Sequence, residues 1–284
     1  MIRSFYIAGT GMMTQRSKMD VVINNVKNMD TVGYKQDQLV TRSFEDLLLD
    51  RLNDPSIINR TTYVGPQNTG VHVDEMVIDF QTGAPQETGE MTDLAIQGDG
   101  FFTVETPDGV QYTRAGDFWV DQNGFLMTQE GYYVLGQGGG RLNVGTEGFV
   151  VATNGTIQNL QGQQIGALQI VTFENLDVMR KTGNNNFIPY DGSAPIAVQN
   201  PEVRQGYVEA SNVDTARVMS DLLMTNRVYE ASQRMLQMID SSLEKTVDWE
   251  LLRSRLCYRV LTQRQWALMP SKKELIRSQT ILRM

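Results

Sequence analysis

The chain has 284 residues, is 40% hydrophobic and carries a net charge of -8, enough length for one to three domains with a real core. The charge is uneven: residues 249–284 hold eight Lys or Arg against two Glu, a net of +6, which leaves -14 on the first 248 residues. A body that acidic repels phosphate backbones and excludes nucleic-acid binding over most of its surface.

In chain order, the first predicted element is a helix over residues 2–28, weakened by Gly9 and Gly11 at about 1 kcal/mol each relative to alanine. Phe5, Met12, Met19 and Val26 recur every seven positions on it, with Ile2 and Ile23 on the adjoining row. Such a seam suits a partner helix better than a globular core. The helix stop reads Asn24-Asn25-Val26-Lys27-Asn28-Met29-Asp30-Thr31-Val32-Gly33-Tyr34-Lys35. Asn and Asp divert the backbone through side-chain hydrogen bonds, and Gly33 supplies a positive φ where the chain turns away.

Residues 36–70 read as a linker, with Phe44, Leu47, Leu48 and Leu49 on a short helix and Asn53, Pro55, Gly65, Pro66 and Gly70 marking loops. Residues 71–205 read as β. Val71 and Val73 face one way and Met76, Ile78 and Phe80 the other, which predicts a bulge. Pro107-Asp108-Gly109 predicts one tight turn and Asp121-Gln122-Asn123-Gly124 another. Turns at this spacing make a hairpin-rich, antiparallel domain.

Residues 206–247 read as a second assembly helix, N-capped by Ser211 or Asn212 with Asp214 in its first turn. Leu222, Tyr229, Leu236 and Leu243 form its seam, flanked by Val218 and Ile239. The predicted fold is therefore mainly β with terminal α-helices, a hairpin-rich β-domain inserted between N- and C-terminal helices of coiled-coil type. Two seams some 200 residues apart point to pairing of the chain's ends with each other and with copies of themselves, which is assembly rather than catalysis.

The strings themselves are more specific. Asn24, Asn25, Asn28, Thr31, Gly33, Tyr34 and Lys35 resemble the N-terminal signature of the flagellar axial proteins, the rod, hook and hook-associated subunits. Asp93 to Phe102, Tyr112-Thr113-Arg114-Ala115-Gly116-Asp117-Phe118, Asp121, Gly124, Gly131 and Val134-Leu135-Gly136 resemble the core of the same family. Gly206, Ser211, Asn212 and Val213 with Arg227 and Glu230 resemble its C-terminal motif. The opening Met1-Ile2-Arg3-Ser4 is most similar to the distal-rod branch, and the resemblance covers roughly residues 1–247. Residues 248–284, with the lone Cys257, Trp249 and Trp266, depart from the pattern as an atypical basic tail, an extension or an artefact on which no function rests.

The resemblance implies a structural subunit of the basal-body rod: a hollow helical tube that transmits torque from motor to hook, with the terminal helices lining the inner wall and the β-domain outside. It implies self-association, neighbouring rod and hook subunits, ring proteins around the rod, and delivery by the flagellar type III export apparatus. Delivery by that route accords with a chain start that shows no secretory signal pattern. No stretch approaches the roughly 18 apolar residues of a membrane span, so the chain is expected not to span one. One cysteine permits no internal disulfide.

No catalytic residue, metal site or cofactor is expected. His72 is the only histidine, too few for a histidine triad or a multi-histidine zinc site. Gly136-Gln137-Gly138-Gly139-Gly140-Arg141 lacks the Gly-Lys-Ser/Thr ending of a phosphate loop and reads as a turn. Asp99, Asp117 and Asp121 lack calcium-loop spacing. Other readings that stay open are a hook or proximal-rod protein of the same family, a glycan-binding or glycan-cleaving β-protein, and an adaptor acting through the basic tail.

Overall fold

The computed structural model describes residues 2–52 and 61–267, with side chains over 3–48 and 65–246. It is mainly β, with one helix near each end, α1 (Ile2–Lys27) and α2 (Thr215–Ala267). The chain divides into two units. One comprises Met1–Met12, Glu45–Gly70 and Glu230–Met284, the other Met13–Phe44 and Val71–Tyr229.

The larger unit is built on a nine-stranded antiparallel sheet. Its strands run in the order Met179–Gly183, Asn186–Pro189, Gly109–Thr113, Phe101–Thr106, Tyr133–Val134, Leu126–Met127 and Trp119–Val120, with Ile170–Thr172 and Ile196–Ala197 added beside Phe101–Thr106. Phe149–Val151, Thr156–Asn159 and Gln164–Ala167 make a three-stranded sheet. The hairpins fall where the turn residues demand them. Phe101–Thr106 returns as Gly109–Thr113 across Pro107-Asp108, and Trp119–Val120 pairs with Leu126–Met127 around Asn123-Gly124. One apolar cluster includes Leu94, Phe102, Leu126, Val134 and Ile157. A second gathers Phe101, Tyr112, Phe173 and Phe187. Each buried aromatic or aliphatic side chain contributes roughly 1.5–3 kcal/mol.

Asp37–Ser43 pairs with Val71–Ile78, and the register slips where Val40 meets Glu75 and Thr41 meets Val73. Asp74 is the extra residue, the bulge that the phase change between Val73 and Met76 foretold. This ladder also joins residues on both sides of the expected boundary at residue 70, so the segment before it is more than a linker.

In the smaller unit, Leu47–Leu52 pairs antiparallel with Thr61–Gln67. The short helix expected at Phe44–Leu49 is therefore corrected to a strand. Three consecutive leucines carry no period, and the Thr-Thr-Tyr-Val run at 61–64 provides a β-prone partner that settles the choice through pairing.

The second helix also departs from expectation. It begins at Thr215, because Glu202–Gln205 and Tyr207–Glu209 are strands paired with Leu94–Gln97 and Pro85–Glu87. Its N-cap is Asp214, whose Oδ1 accepts from the backbone N of Ala216 at 3.0 Å and of Arg217 at 3.2 Å. Ser211 and Asn212 were the wrong candidates: they lie three and two residues before the cap, and Asn212 is committed elsewhere. The helix continues past residue 247 to Ala267, since no Gly or Pro interrupts the sequence before Pro270. The tail beyond Ala267 lies outside the described residues, as do the side chains of Trp249, Cys257 and Trp266.

Candidate functional site

Where α1 ends, its asparagines tie the helix to the strand that follows. Asn25 is 2% exposed, and its Nδ2 donates to the Asp37 carbonyl at 2.8 Å while its Oδ1 accepts from the Asp37 N at 3.0 Å. One side-chain amide thus mimics a paired strand residue. The Tyr34 hydroxyl donates to Asn25 Oδ1 at 3.0 Å, lies 3.3 Å from Asp37 Oδ2 and accepts from Asn24 Nδ2 at 3.3 Å. Burial, with the Asp37 charge adding to it, pushes the Tyr34 phenol well above its ordinary value. Asn28 Nδ2 donates to the Asn24 carbonyl at 2.8 Å, and Thr31 donates to Asn28 Oδ1 at 3.3 Å, closing the last turn.

Gly33 makes the turn possible in two ways. Its φ is +66°, and a Cβ there would stand 2.4 Å from the Arg114 carbonyl carbon and the Ala115 N. Its N donates to the Glu209 carbonyl at 2.7 Å. The motif therefore lies against the strand that precedes α2.

Lys35, 1% exposed, follows into the interior. Its ammonium meets Glu209 Oε1 at 2.5 Å and the Gln81 carbonyl at 2.8 Å. Glu209 Oε2 accepts from Arg114 at 3.2 Å, and Gly83 N donates to its Oε1 at 2.9 Å. Arg114 also donates to the Gly98 carbonyl at 2.8 Å, and its guanidinium lies 5.2 Å from the Phe101 ring centre. Burial lowers the affinity of both Lys35 and Arg114 for their protons, while the Glu209 carboxylate opposes the shift. Alongside, Lys181 Nζ stands 2.8 Å from Asp37 Oδ1, donates to the Lys35 carbonyl at 2.5 Å and sits 3.9 Å over the Tyr34 ring. Two carboxylates and three cations thus meet between the N-terminal motif, the sheet and the C-terminal motif, all but the partly exposed Lys181 buried.

The C-terminal motif completes the junction. Asn212 Oδ1 accepts from Gln36 N at 2.7 Å and its Nδ2 donates to the Asp79 carbonyl at 2.8 Å. Val213 packs with Val22, Tyr34 and Val218, and Val26, Met29 and Leu222 close over them. Gly206 receives hydrogen bonds from Thr88 N and Gly89 N and donates to Asp93. Ser211 Oγ accepts from Val213 N at 3.4 Å.

Of the predicted residues, Asn24, Asn25, Gly33, Tyr34, Lys35, Asn212, Val213, Val26 and Leu222 meet in this one place. The remaining seam residues do not. Phe5 is 47% exposed, and Met12, Met19, Tyr229, Leu236 and Leu243 are half-buried. On α2 the less exposed side chains fall at Val218, Leu222, Thr225, Tyr229, Ser232, Leu236, Ile239 and Leu243, alternately four and three apart. Arg227 and Glu230 are exposed, and Glu230 lies 3.7 Å from Arg234. Asp37, Arg114, Lys181 and Glu209 were missed as site residues. Arg114 stood inside a recognisable string and Glu209 between Gly206 and Ser211 of another, but nothing local marks two charges as partners across 95 residues, and Lys181 carried no signal at all.

One carboxylate outside the junction is also perturbed. Burial pushes Asp117 up to about 6, helped by the Glu130 and Asp93 charges against a backbone hydrogen bond that lowers it. A pKa raised on folding contributes stability that is complete below the unfolded value of 3.8 and lost as pH climbs through about 6. Asp117→Asn is therefore expected to raise the urea midpoint at pH 7, by about 1–2 kcal/mol of stability once solvent screening is allowed for, and to change nothing below about pH 4.

The arrangement holds two terminal segments on one β-domain. Among the described residues no group of three His, Cys, Asp or Glu side chains is placed to hold a metal ion, and no helix is long and apolar enough to cross a membrane. Three family models match the chain. Residues 5–35 match the flagella basal body rod protein model, residues 95–175 the flagellar hook protein FlgE/F/G D1 domain, and residues 204–248 the flagellar basal body rod FlgEFG protein C-terminal model. These define a flagellar axial protein. The chain is 33% identical to the flagellar basal-body rod protein FlgG of Bacillus subtilis over 87% of its own length and 99% of that protein's. It is 31% identical to FlgG of Borreliella burgdorferi, over 86% and 97%, and 31% identical to the basal-body rod protein FlgF of Caulobacter vibrioides, over 83% and 93%. The chain belongs to the flagellar basal-body rod protein family, a family of structural proteins and not of enzymes.

Proposed function

We propose that this chain is a structural subunit of the distal rod of the flagellar basal body, polymerising into a hollow helical tube that transmits torque from motor to hook. The FlgG relatives, matched over nearly their whole length, support the distal assignment. The observation that carries the assembly reading is what the helices leave to solvent. Phe5, Tyr6, Ile7 and Met13 on α1, and Leu223, Met224, Met235 and Met238 on α2, are all 40% exposed or more. Large apolar side chains in that number on two helices mark an association surface.

In this reading Phe5, Met12 and Met19 of the first seam and Tyr229, Leu236 and Leu243 of the second pack in coiled-coil fashion between helices of neighbouring copies, while Val26 and Leu222 serve the junction within the subunit. Asn24, Asn25, Asn28, Thr31, Gly33, Tyr34 and Lys35, with Gly206, Ser211, Asn212 and Val213, act one step back: they aim the helices from the β-domain. Arg227 and Glu230 make rim contacts worth little individually. The subunit travels through the flagellar type III export apparatus without a cleaved signal, works outside the cytoplasm, and meets neighbouring rod and hook subunits and the rings around the rod.

Intact-protein mass spectrometry on basal bodies purified from the source organism tests the assignment. The chain should be present in many copies, and its absence from well-flagellated preparations would sink the reading. Leu236→Ala should weaken subunit association about tenfold, the effect of roughly 1.4 kcal/mol of lost apolar burial, with an unchanged circular dichroism spectrum. Quantifying assembled rod per cell checks it.

A further inference from the structure

The β-domain carries two surface features that the helices do not explain. The first follows the strand Asn186–Pro189. Tyr190 is 81% exposed there, with the exposed Arg180 guanidinium 6.0 Å from its ring centre. The next residue, Asp191, is turned back on its own loop, its Oδ1 accepting from Ser193 N at 2.9 Å and from Ser193 Oγ. The surface here presents a projecting aromatic ring with a cation beside it.

The second feature is an open hollow of about 380 Å³ between residues 143–148 and 159–165, lined by Val144, Gly148, Leu160 and Ile165 with the carboxylate of Glu147. Leu160 and Ile165 are 57% and 42% exposed, and Met91, 60% exposed, stands with Leu160 beside Gly148. The lining is mixed: Leu160 and Ile165 present the apolar part among Asn143, Thr146, Asn159 and Gln161, with Glu147 as an exposed anion.

Topology keeps the two apart within one molecule. Tyr190 follows the penultimate strand at one end of the nine-stranded sheet. The hollow adjoins the other end, where Asn143 bridges Phe125 and Val144 N bonds to the Gly124 carbonyl at 2.7 Å. Four strand steps separate Asn186–Pro189 from Leu126–Met127, roughly 20 Å of ladder. A knob and a hollow on opposite ends of one domain, with opposite charges, are the requirement of a head-to-tail contact between identical copies, which builds rings or open filaments.

We propose that Tyr190 of one copy seats in the Val144–Leu160–Ile165 hollow of the next, with Arg180 facing Glu147. The contact rests on the rod reading and adds to it a lateral bond between β-domains, independent of the helices.

Basal bodies purified from cells carrying Tyr190→Cys and Leu160→Cys together, in a Cys257→Ser background, provide the test. Oxidation should yield a ladder of disulfide-linked multimers that collapses on reduction, and neither single variant should give one. Monomers only, from intact basal bodies containing the doubly substituted chain, would overturn the contact and leave the rod reading standing. Absence of the wild-type chain from basal bodies would overturn both. Should the cysteine pair itself block incorporation, charge reversal decides. Arg180→Glu or Glu147→Arg alone should lower the copies per basal body severalfold, with the purified variants unfolding like wild type, and the double reversal should restore them. Neutral single reversals, or a double variant no better than its parents, would also overturn the contact.

Discussion

Glu209→Ala is expected to be the most damaging single truncation on the chain's interior. It leaves Lys35 and Arg114, 1% and 4% exposed, as buried cations without a carboxylate. It also strips Gly83 N of its acceptor. Removing one partner of a buried pair costs about 3–5 kcal/mol, because the remaining charge keeps its desolvation penalty. For a domain of this size that corresponds to a fall of roughly 10–15 °C in melting temperature. Lys35→Met should cost less, about 1–3 kcal/mol, since Glu209 loses one donor but retains Arg114 and Gly83 N, and the Gln81 carbonyl retains Asn212. Thermal unfolding of the two variants checks the order. Equal losses would mean that Arg114 does not compensate the carboxylate.

Gly33→Ala should be nearly as severe for a different reason. The residue holds φ at +66°, which costs an alanine roughly 1–2 kcal/mol before packing is considered. The added methyl would then stand 2.4 Å from the backbone of Arg114 and Ala115, which directly follows the strand Gly109–Thr113 and has no rotamer through which to yield. The motif must lift off instead, breaking the bond from Gly33 N to Glu209 and exposing Lys35. The combined cost is about 3 kcal/mol or more. Limited trypsinolysis offers a direct readout. Cleavage after Lys35 should be slow in the wild type, where that side chain is buried, and fast in the variant. Unchanged cleavage would show that the turn can accommodate a side chain without separating from the sheet.

Much of this architecture was legible because its signals are local. The turn at Pro107-Asp108-Gly109, the hairpin at Asn123-Gly124, the bulge at Asp74 and the end of α1 each depend on a few adjacent residues whose backbone preferences agree. What was illegible depended on residues far apart. The leucines at 47–49 become a strand only through the partner at 61–67. Asp214 takes the cap because strands claim the chain up to Glu209 and the side chain of Asn212 is spent on Gln36 and Asp79. The site shows the same division. The Asn-Asn and Gly-Tyr-Lys strings announced a structured helix exit, yet the buried ion cluster that fixes it draws Arg114, Lys181 and Glu209 from three separate stretches, and a charged residue in isolation reads as a solvated one.

The junction also sets an order of events in time. Lys35 reaches Glu209 across 174 residues and Gln36 reaches Asn212 across 176. Contacts of such sequence separation form late, because loop closure must come before they reward it. A chain emerging amino-terminus first releases α1 at the outset, yet the ties of its exit to Glu209 and Asn212 must wait until residues 209–212 have followed. The first element to appear is among the last to complete its contacts. Throughout that interval its exit lacks the tie to the C-terminal motif and cannot set its apolar row at the angle a neighbour would need.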